Sequence, residues 1–253
     1  MIALSQQSSY SQVLQDLGAD FNDFIKTGIN LSSDFIKFDK STQLNFAGSA
    51  LLIGAGYSLD NNVKNFSQKN LSRFNDGLFS IDKVYGNGYT LAGIGGLYGY
   101  GLLFKDKEIR KIGLQTIEAV GYAGTITSVI KSLAGRSRPY NDEGKARFRP
   151  IDFNAGHTSF PSGHSTVSFA VSTVLANNTD NTYLKVFYYS ASTLVACARI
   201  YHNDHWFSDV IAGSLIGHFV GEYVSNPAIL NKTDNHSVSL GFSLTGIDLS
   251  LTF

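Results

Sequence analysis

Residues 107–135 read KEIRKIGLQTIEAVGYAGTITSVIKSLAG, and their spacing decides the fold class. Ile109, Ile112, Ile117, Val120, Ile126, Val129 and Ile130 recur at steps that keep returning to one face of a 3.6-residue helix. The period predicts a long helix over 107–133 that ends near Gly135, where the lack of a Cβ lets the chain turn. Working outward, the same period returns on both sides. Over 10–26 it places Val13, Leu14, Leu17, Phe21, Phe24 and Ile25 on one stripe. A small-residue apolar run over 44–59 predicts a second helix, 71–84 a weaker third, and the Gly-rich stretch 89–104 one that packs closely on its neighbours. Beyond the long helix, Pro139, Pro150 and Pro161 mark 136–161 as an irregular loop. Helices follow over 162–176, 183–200 and about 206–224.

Strand periodicity is confined to the end of the chain. Val238, Leu240, Phe242 and Leu244 alternate with polar residues, as do Ile247, Leu249, Leu251 and Phe253, on either side of Thr245-Gly246. The expected fold is therefore all-α, a helical bundle with a short C-terminal β-hairpin. It divides into a helical domain over 1–230 and a hairpin appendage over 231–253.

Composition narrows the function. With 20 basic and 20 acidic residues the 253-residue chain has a formal net charge of zero, which excludes a general nucleic-acid binder. Locally the balance differs. Lys131, Arg136, Arg138, Lys145, Arg147 and Arg149 lie in a stretch whose only acids are Asp142 and Glu143. A cationic cluster in a neutral protein points to a small anionic ligand. Cys197 is the single cysteine, so neither an intrachain disulfide nor a cysteine metal cage is available. The uncharged run 84–104 is nominally long enough to span a bilayer, but seven glycines and four tyrosines thin its apolar gain. Glu118 and Gln115 interrupt the next candidate, and His218 and Glu222 the last. With a mean hydropathy of −0.02, the expectation is a soluble or peripherally membrane-associated helical protein, with an integral membrane protein as the alternative. The first five residues are too short and uncharged for a signal peptide. The chain is expected either to be cytoplasmic or to be a mature form that has lost its leader.

Three segments carry chemistry. In the first, Lys131 and Arg138 bracket SLAGRS, with Pro139 following. Both cations project from one face if the helix continues; if Gly135 ends it, Arg138 reaches the same end from the loop. In the second, Pro161-Ser162-Gly163-His164 precedes an apolar-periodic run. Ser162 is a suitable N-cap, Gly163 permits close approach, and the free N–H groups of a first helical turn make an anion seat. In the third, ARIYHNDHWFSDV over 198–210, His205 and Asp209 lie one turn apart. A carboxylate there can accept the imidazole Nδ1–H and leave Nε2 free to attack or bind. A metal site of His202, His205 and Asp209 is the competing reading. It lacks a firm further ligand.

Read together, Lys131-x6-Arg138-Pro139, Pro161-Ser162-Gly163-His164 and Arg199-x5-His205-x3-Asp209 resemble the three-part signature of the type 2 phosphatidic acid phosphatase superfamily. That superfamily also includes bacterial non-specific acid phosphatases and vanadium haloperoxidases. The resemblance implies that His205 attacks phosphorus, Asp209 orients it and His164 protonates the leaving oxygen. It implies that Lys131, Arg138 and Arg199, helped by Ser162 and the Gly163 N–H, hold the phosphoryl oxygens. It further implies metal-independent hydrolysis of phosphomonoesters or lipid phosphates and diphosphates in the periplasm or cell envelope, with no cofactor, and a site that phosphate or vanadate can occupy. Ala198 departs from the pattern, which usually has Ser before the arginine. Two other readings stay open at this point: a vanadate-dependent haloperoxidase, and a non-catalytic envelope protein with an anion site. Outside the signature, Arg136, Lys145, Arg147 and Arg149 are candidates for a second anionic group or for a solvated loop. His157 is expected in an exposed loop, Trp206 in bundle packing and Cys197 in the core.

Overall fold

The structure, a computed structural model, describes residues 2–37, 39–152, 154–226, 229, 237–243 and 246–252. Its body is all-α. The helices are α1 (Ile2–Lys37), α2 (Lys40–Lys69), α3 (Arg73–Leu78), α4 (Gly88–Leu103), α5 (Lys107–Ala134), α6 (Gly163–Asn177), α7 (Thr182–Tyr201) and α8 (Phe207–Ser225). Backbone of Ser237–Ser243 pairs antiparallel with Gly246–Thr252, Val238 opposite Leu251 and Phe242 opposite Ile247. Leu244, Thr245 and Phe253 lie outside the described residues, as does the expected boundary at 230–231.

The apolar stripes fix where helices pack; polar caps fix how long they run. Helix α2 starts ahead of the apolar run 44–59 because Asp39 caps its first turn, accepting from Thr42 N at 2.8 Å, and it runs on to Lys69, where the Asn70 N–H closes on the Ser67 carbonyl. The weak third helix divides into α3 and a 3₁₀ turn over Phe79–Lys83. There the Ser80 hydroxyl takes the Gly77 carbonyl at 2.7 Å and competes with the helical ladder. At the end of α5, Gly135 adopts the left-handed conformation at φ +56°. A Cβ there would lie 1.6 Å from the Arg149 carbonyl oxygen, so only glycine allows the loop to fold back at this point.

The core lies among α5, α6 and α8, where Ala119, Ala123, Ala170, Val174, Val220 and Val224 meet. Gly213, Gly217 and Gly221 form one stripe of α8 against α6. A Cβ on Gly213 or Gly217 would sit 2.3 and 2.2 Å from the carbonyls of Ser162 and Thr166. The two backbones are thus in near contact, and the first turn of α6 is held rigidly. Buried hydroxyls add direction to that packing: Ser192 donates to the Ser168 carbonyl at 2.8 Å and to Ser172 Oγ at 2.6 Å, joining α7 to α6. Among the described residues, no helix is long and apolar enough to cross a membrane.

Candidate active site

The three segments meet at the N-terminus of α6. Gly135 ends α5, so of the two geometries open in the sequence the loop one holds. Lys131 projects from the last turn and donates to the Thr158 carbonyl at 2.6 Å. Arg138 reaches Thr158 Oγ1 from the loop at 3.4 Å. Ser162 caps α6, accepting from Ser165 N, while its own N–H donates to the Asp209 carbonyl at 2.9 Å. A Cβ added to Gly163 would lie 3.8 Å from Lys131 Cε, which places the lysine stem alongside the amides of the first turn. Arg199 comes from the last turn of α7, and the Asp204 carboxylate joins it to Arg138, at 2.5 Å and 3.5 Å respectively.

His205 is buried at the centre. Its Nδ1 lies 2.7 Å from the Ser159 carbonyl oxygen and 3.8 Å from Asp209 Oδ2. The expected Nδ1–H bond to Asp209 is therefore replaced by a bond to backbone, because Ser159 is interposed and Asp209 is held elsewhere. A carbonyl only accepts, so Nδ1 must carry the proton, and Nε2 presents a lone pair. Asp209 remains close enough to stabilise positive charge on the ring.

Asp209 is itself locked. Its Oδ1 accepts from Arg136 at 2.6 Å, and its Oδ2 from Ser159 Oγ at 2.5 Å and Trp206 N at 2.8 Å. Arg136, with 1 % exposure, spans from Asp209 to Asp60 of α2, which it meets at 2.6 Å. Asp60 also accepts from Ser208 N and Oγ, at 2.8 and 2.9 Å. The rings of Tyr57, Phe148 and Trp206 surround the guanidinium at 5.1 to 5.6 Å.

Burial and charge set the protonation states. Burial pushes the His205 imidazole down to about 3, Lys131 and Arg138 adding to the effect against the pull of Asp209. Burial likewise lowers His164 to about 4, with repulsion from Arg199 as the next largest contribution and Asp82 and Asp204 pulling the other way. Lys131 falls to about 7, again through burial first and then the neighbouring Arg138. Burial alone would raise the Asp209 carboxyl, but the His205 imidazole, Arg136 and the Ser159 hydroxyl outweigh it and hold it below its usual range. Both histidines are thus neutral near pH 7 in the free protein.

All eight residues to which the resemblance gives a catalytic or phosphate-binding role stand in this one region. The other cations do not join it. Arg136 is neither solvated nor free for a second anion, being saturated by two carboxylates. Lys145 donates to the Tyr57 carbonyl at 2.7 Å, and Arg149 pairs with Glu143 at 2.8 Å; Arg147 is exposed. His157 is not an open loop histidine: it contacts Arg149 and bonds Asp152 at 2.6 Å. Trp206 packs in the bundle as expected, with Nε1 on the Ser137 carbonyl at 2.9 Å, whereas Cys197 is exposed rather than in the core. His202 bonds Asp82 at 2.9 Å and does not meet His205 and Asp209. Among the described residues no group of three or more His, Cys, Asp or Glu is placed to hold a metal ion. Sequence reasoning missed Asp60, Asp82, Ser159 and Asp204. That Asp60 is the one acid of α2 was the available signal for it.

Known proteins resemble part of this chain. The PAP2 superfamily pattern matches residues 113–226. A lipid A 1-phosphatase of Rhizobium etli is 32% identical over 108 residues, covering 42% of this chain and 46% of its own length. An undecaprenyl-diphosphatase of Sulfolobus acidocaldarius is 29% identical over 175 residues, 67% of this chain and 79% of that protein. The chain thus spans less than half of the lipid A phosphatase it matches. Among solved structures, a transmembrane PAP2-type phosphatidylglycerolphosphate phosphatase from Bacillus subtilis superposes with a TM-score of 0.55 at 21% identity, covering 71% of this chain and 92% of its own, a likeness of fold. Residues 113–226 of this chain thus carry the pattern of the PAP2 superfamily.

Proposed function

We propose that this protein is a phosphohydrolase that removes terminal phosphoryl groups from phosphomonoesters or lipid phosphates and diphosphates through a phosphohistidine on His205. The observation that carries the reading is the bond between His205 Nδ1 and the Ser159 carbonyl, beside three cations and a helix N-terminus. It supplies a neutral nucleophile aimed, through Nε2, at an oxyanion seat. In the first step Nε2 forms a bond to phosphorus as the ester P–O bond breaks, and His164 gives its proton to the leaving oxygen. In the second, His164 takes a proton from water as the water oxygen displaces Nε2, releasing orthophosphate and neutral His205. Lys131, Arg138, Arg199 and the Gly163 amide spread the charge of the equatorial oxygens, and Asp209 offsets the charge on the ring. His164 gains its proton when the dianion docks beside it, which favours a mildly acidic to neutral optimum.

The reading uses no metal ion or cofactor, and phosphate or vanadate would occupy the same seat as inhibitors. A lipid substrate is supported by the names of the relatives and by exposed apolar side chains near the cationic segment, Leu133, Tyr140, Phe148 and Ile151. These suit peripheral contact with a membrane of the cell envelope. Residues 231–253 are taken as a hairpin appendage outside the catalytic unit. The test is phosphate release from an aryl phosphate, phosphatidic acid, an isoprenyl diphosphate and a nucleotide, with and without detergent. Turnover is expected, highest on the lipid-borne groups. A folded protein releasing phosphate from none of them at any pH contradicts the reading and favours a non-catalytic anion site.

A further inference from the structure

Asp204, next to the nucleophile in sequence, stands where a ligand's oxygens would. Its Oδ2 meets Arg199 Nη2 at 2.5 Å and its Oδ1 lies 3.5 Å from Arg138 Nη1. Each carboxylate oxygen thus faces one of the two arginines, as two oxygens of a phosphoryl group would. The turn that delivers it is unusual. Asn203 has φ +60°, a left-handed conformation that asparagine tolerates better than most residues. The amides of Asp204 and His205 both fold back onto the Arg199 carbonyl, at 3.1 and 3.3 Å. The acid is therefore carried over its own arginine.

A second carboxylate has a different task. Asp82, 3 % exposed, accepts from Arg199 Nη1 at 2.7 Å and from His202 at 2.9 Å, anchoring the arginine from behind. With Asp82 in place, Asp204 is not needed to hold Arg199. Its side chain is also more exposed, at 24 % against 3 % for Asp82. The Nε–H groups of Arg138 and Arg199 are buried without a protein acceptor, so the pair retains donors that Asp204 does not reach.

We propose that Asp204 is an internal competitor for the oxyanion seat: its carboxylate bridges Arg138 and Arg199 and yields to the incoming phosphoryl dianion. This rests on the phosphohydrolase reading for the identity of the anion. The device raises the threshold that an anion must clear, so weakly held singly charged groups fail to bind. It also helps expel orthophosphate after the second step, when the carboxylate returns to the arginines.

The experiment is to measure orthophosphate binding to the full chain by calorimetry at one pH, and its inhibition constant against an aryl phosphate, for wild type, Asp204→Asn and Asp204→Ser. Both variants are expected to bind orthophosphate about 10-fold more tightly, equivalent to about 1.4 kcal/mol, with KM lowered and kcat not raised. Unchanged or weaker binding overturns the proposal, weaker binding with a raised KM showing that Asp204 orders the arginines instead. Circular dichroism of both variants guards against misfolding, and the serine variant keeps the test available should the asparagine variant fold poorly. If no variant hydrolyses the ester yet both bind orthophosphate more tightly, the competitor stands and the phosphohydrolase reading falls.

Discussion

Arg136 and Arg138 stand two residues apart in the same loop and face opposite situations. Behind His205, Arg136 is wholly buried, meets Asp60 and Asp209 at 2.6 Å each, and is ringed by three aromatics. In front of it, Arg138 has a single carboxylate at 3.5 Å, one long bond to Thr158 and an unpartnered Nε. A charge meant to stay is surrounded by fixed partners; a charge meant for a ligand is left under-paired. Two carboxylates on one guanidinium leave the rear cluster with net negative charge, which complements the cations in front. The two regions meet at His205; in the proposed mechanism one stabilises its charge and the other holds what it attacks.

Substitutions can break this contrast. The largest loss is expected from His205→Ala, which should reduce kcat at least about 10⁴-fold by removing the nucleophile. Arg136→Met should act on the fold, costing about 3–5 kcal/mol in denaturant unfolding because Asp60 and Asp209 are left buried and uncompensated. Arg138→Ala should do the reverse, lowering kcat/KM about 10²–10³-fold with little change in unfolding midpoint. A destabilised Arg138→Ala or an undiminished Arg136→Met would erase the distinction between rear and front.

Finer contrasts lie within the front itself. His164→Ala should slow alkyl phosphates about 10²-fold or more while sparing aryl phosphates, since only poor leaving groups need a proton. Equal losses on both would remove His164 from the acid role. Lys131 should govern the alkaline limb. It is charged below and neutral above about 7 in the free protein, so kcat/KM is expected to fall as pH rises through that value. Lys131→Arg, which stays charged, should move the limb upward; an unmoved limb assigns it to another group.

Much of this was legible in the sequence because it depends on local periods and short spacings. The helix over 107–133, its stop at Gly135 and the cap at Ser162 follow from residue types at fixed offsets, and all three are found. The cations and histidines of the front were implied by the resemblance of the three segments to the superfamily signature, whereas Asp82 and Asp204, which pair with those arginines, were not. The rear was hidden because its partners are distant in the chain: nothing near Arg136 announces Asp60 on α2 or shows that both are fully buried. Arg136 therefore read as a candidate for a second anionic group or for a solvated loop. The Ser159 carbonyl was illegible for another reason, since a backbone acceptor has no sequence signature. Cys197 lies on a helix face whose exposure depends on what packs against it, and one residue's polarity does not settle that.

The most direct test concerns the bond that His205 Nε2 is set up to form. Labelled phosphomonoester mixed with the protein and quenched in alkali within a turnover should leave an acid-labile, base-stable phosphoryl group on a peptide containing His205, and none in His205→Ala. Steady turnover without any such label, or label persisting in His205→Ala, would contradict the assignment.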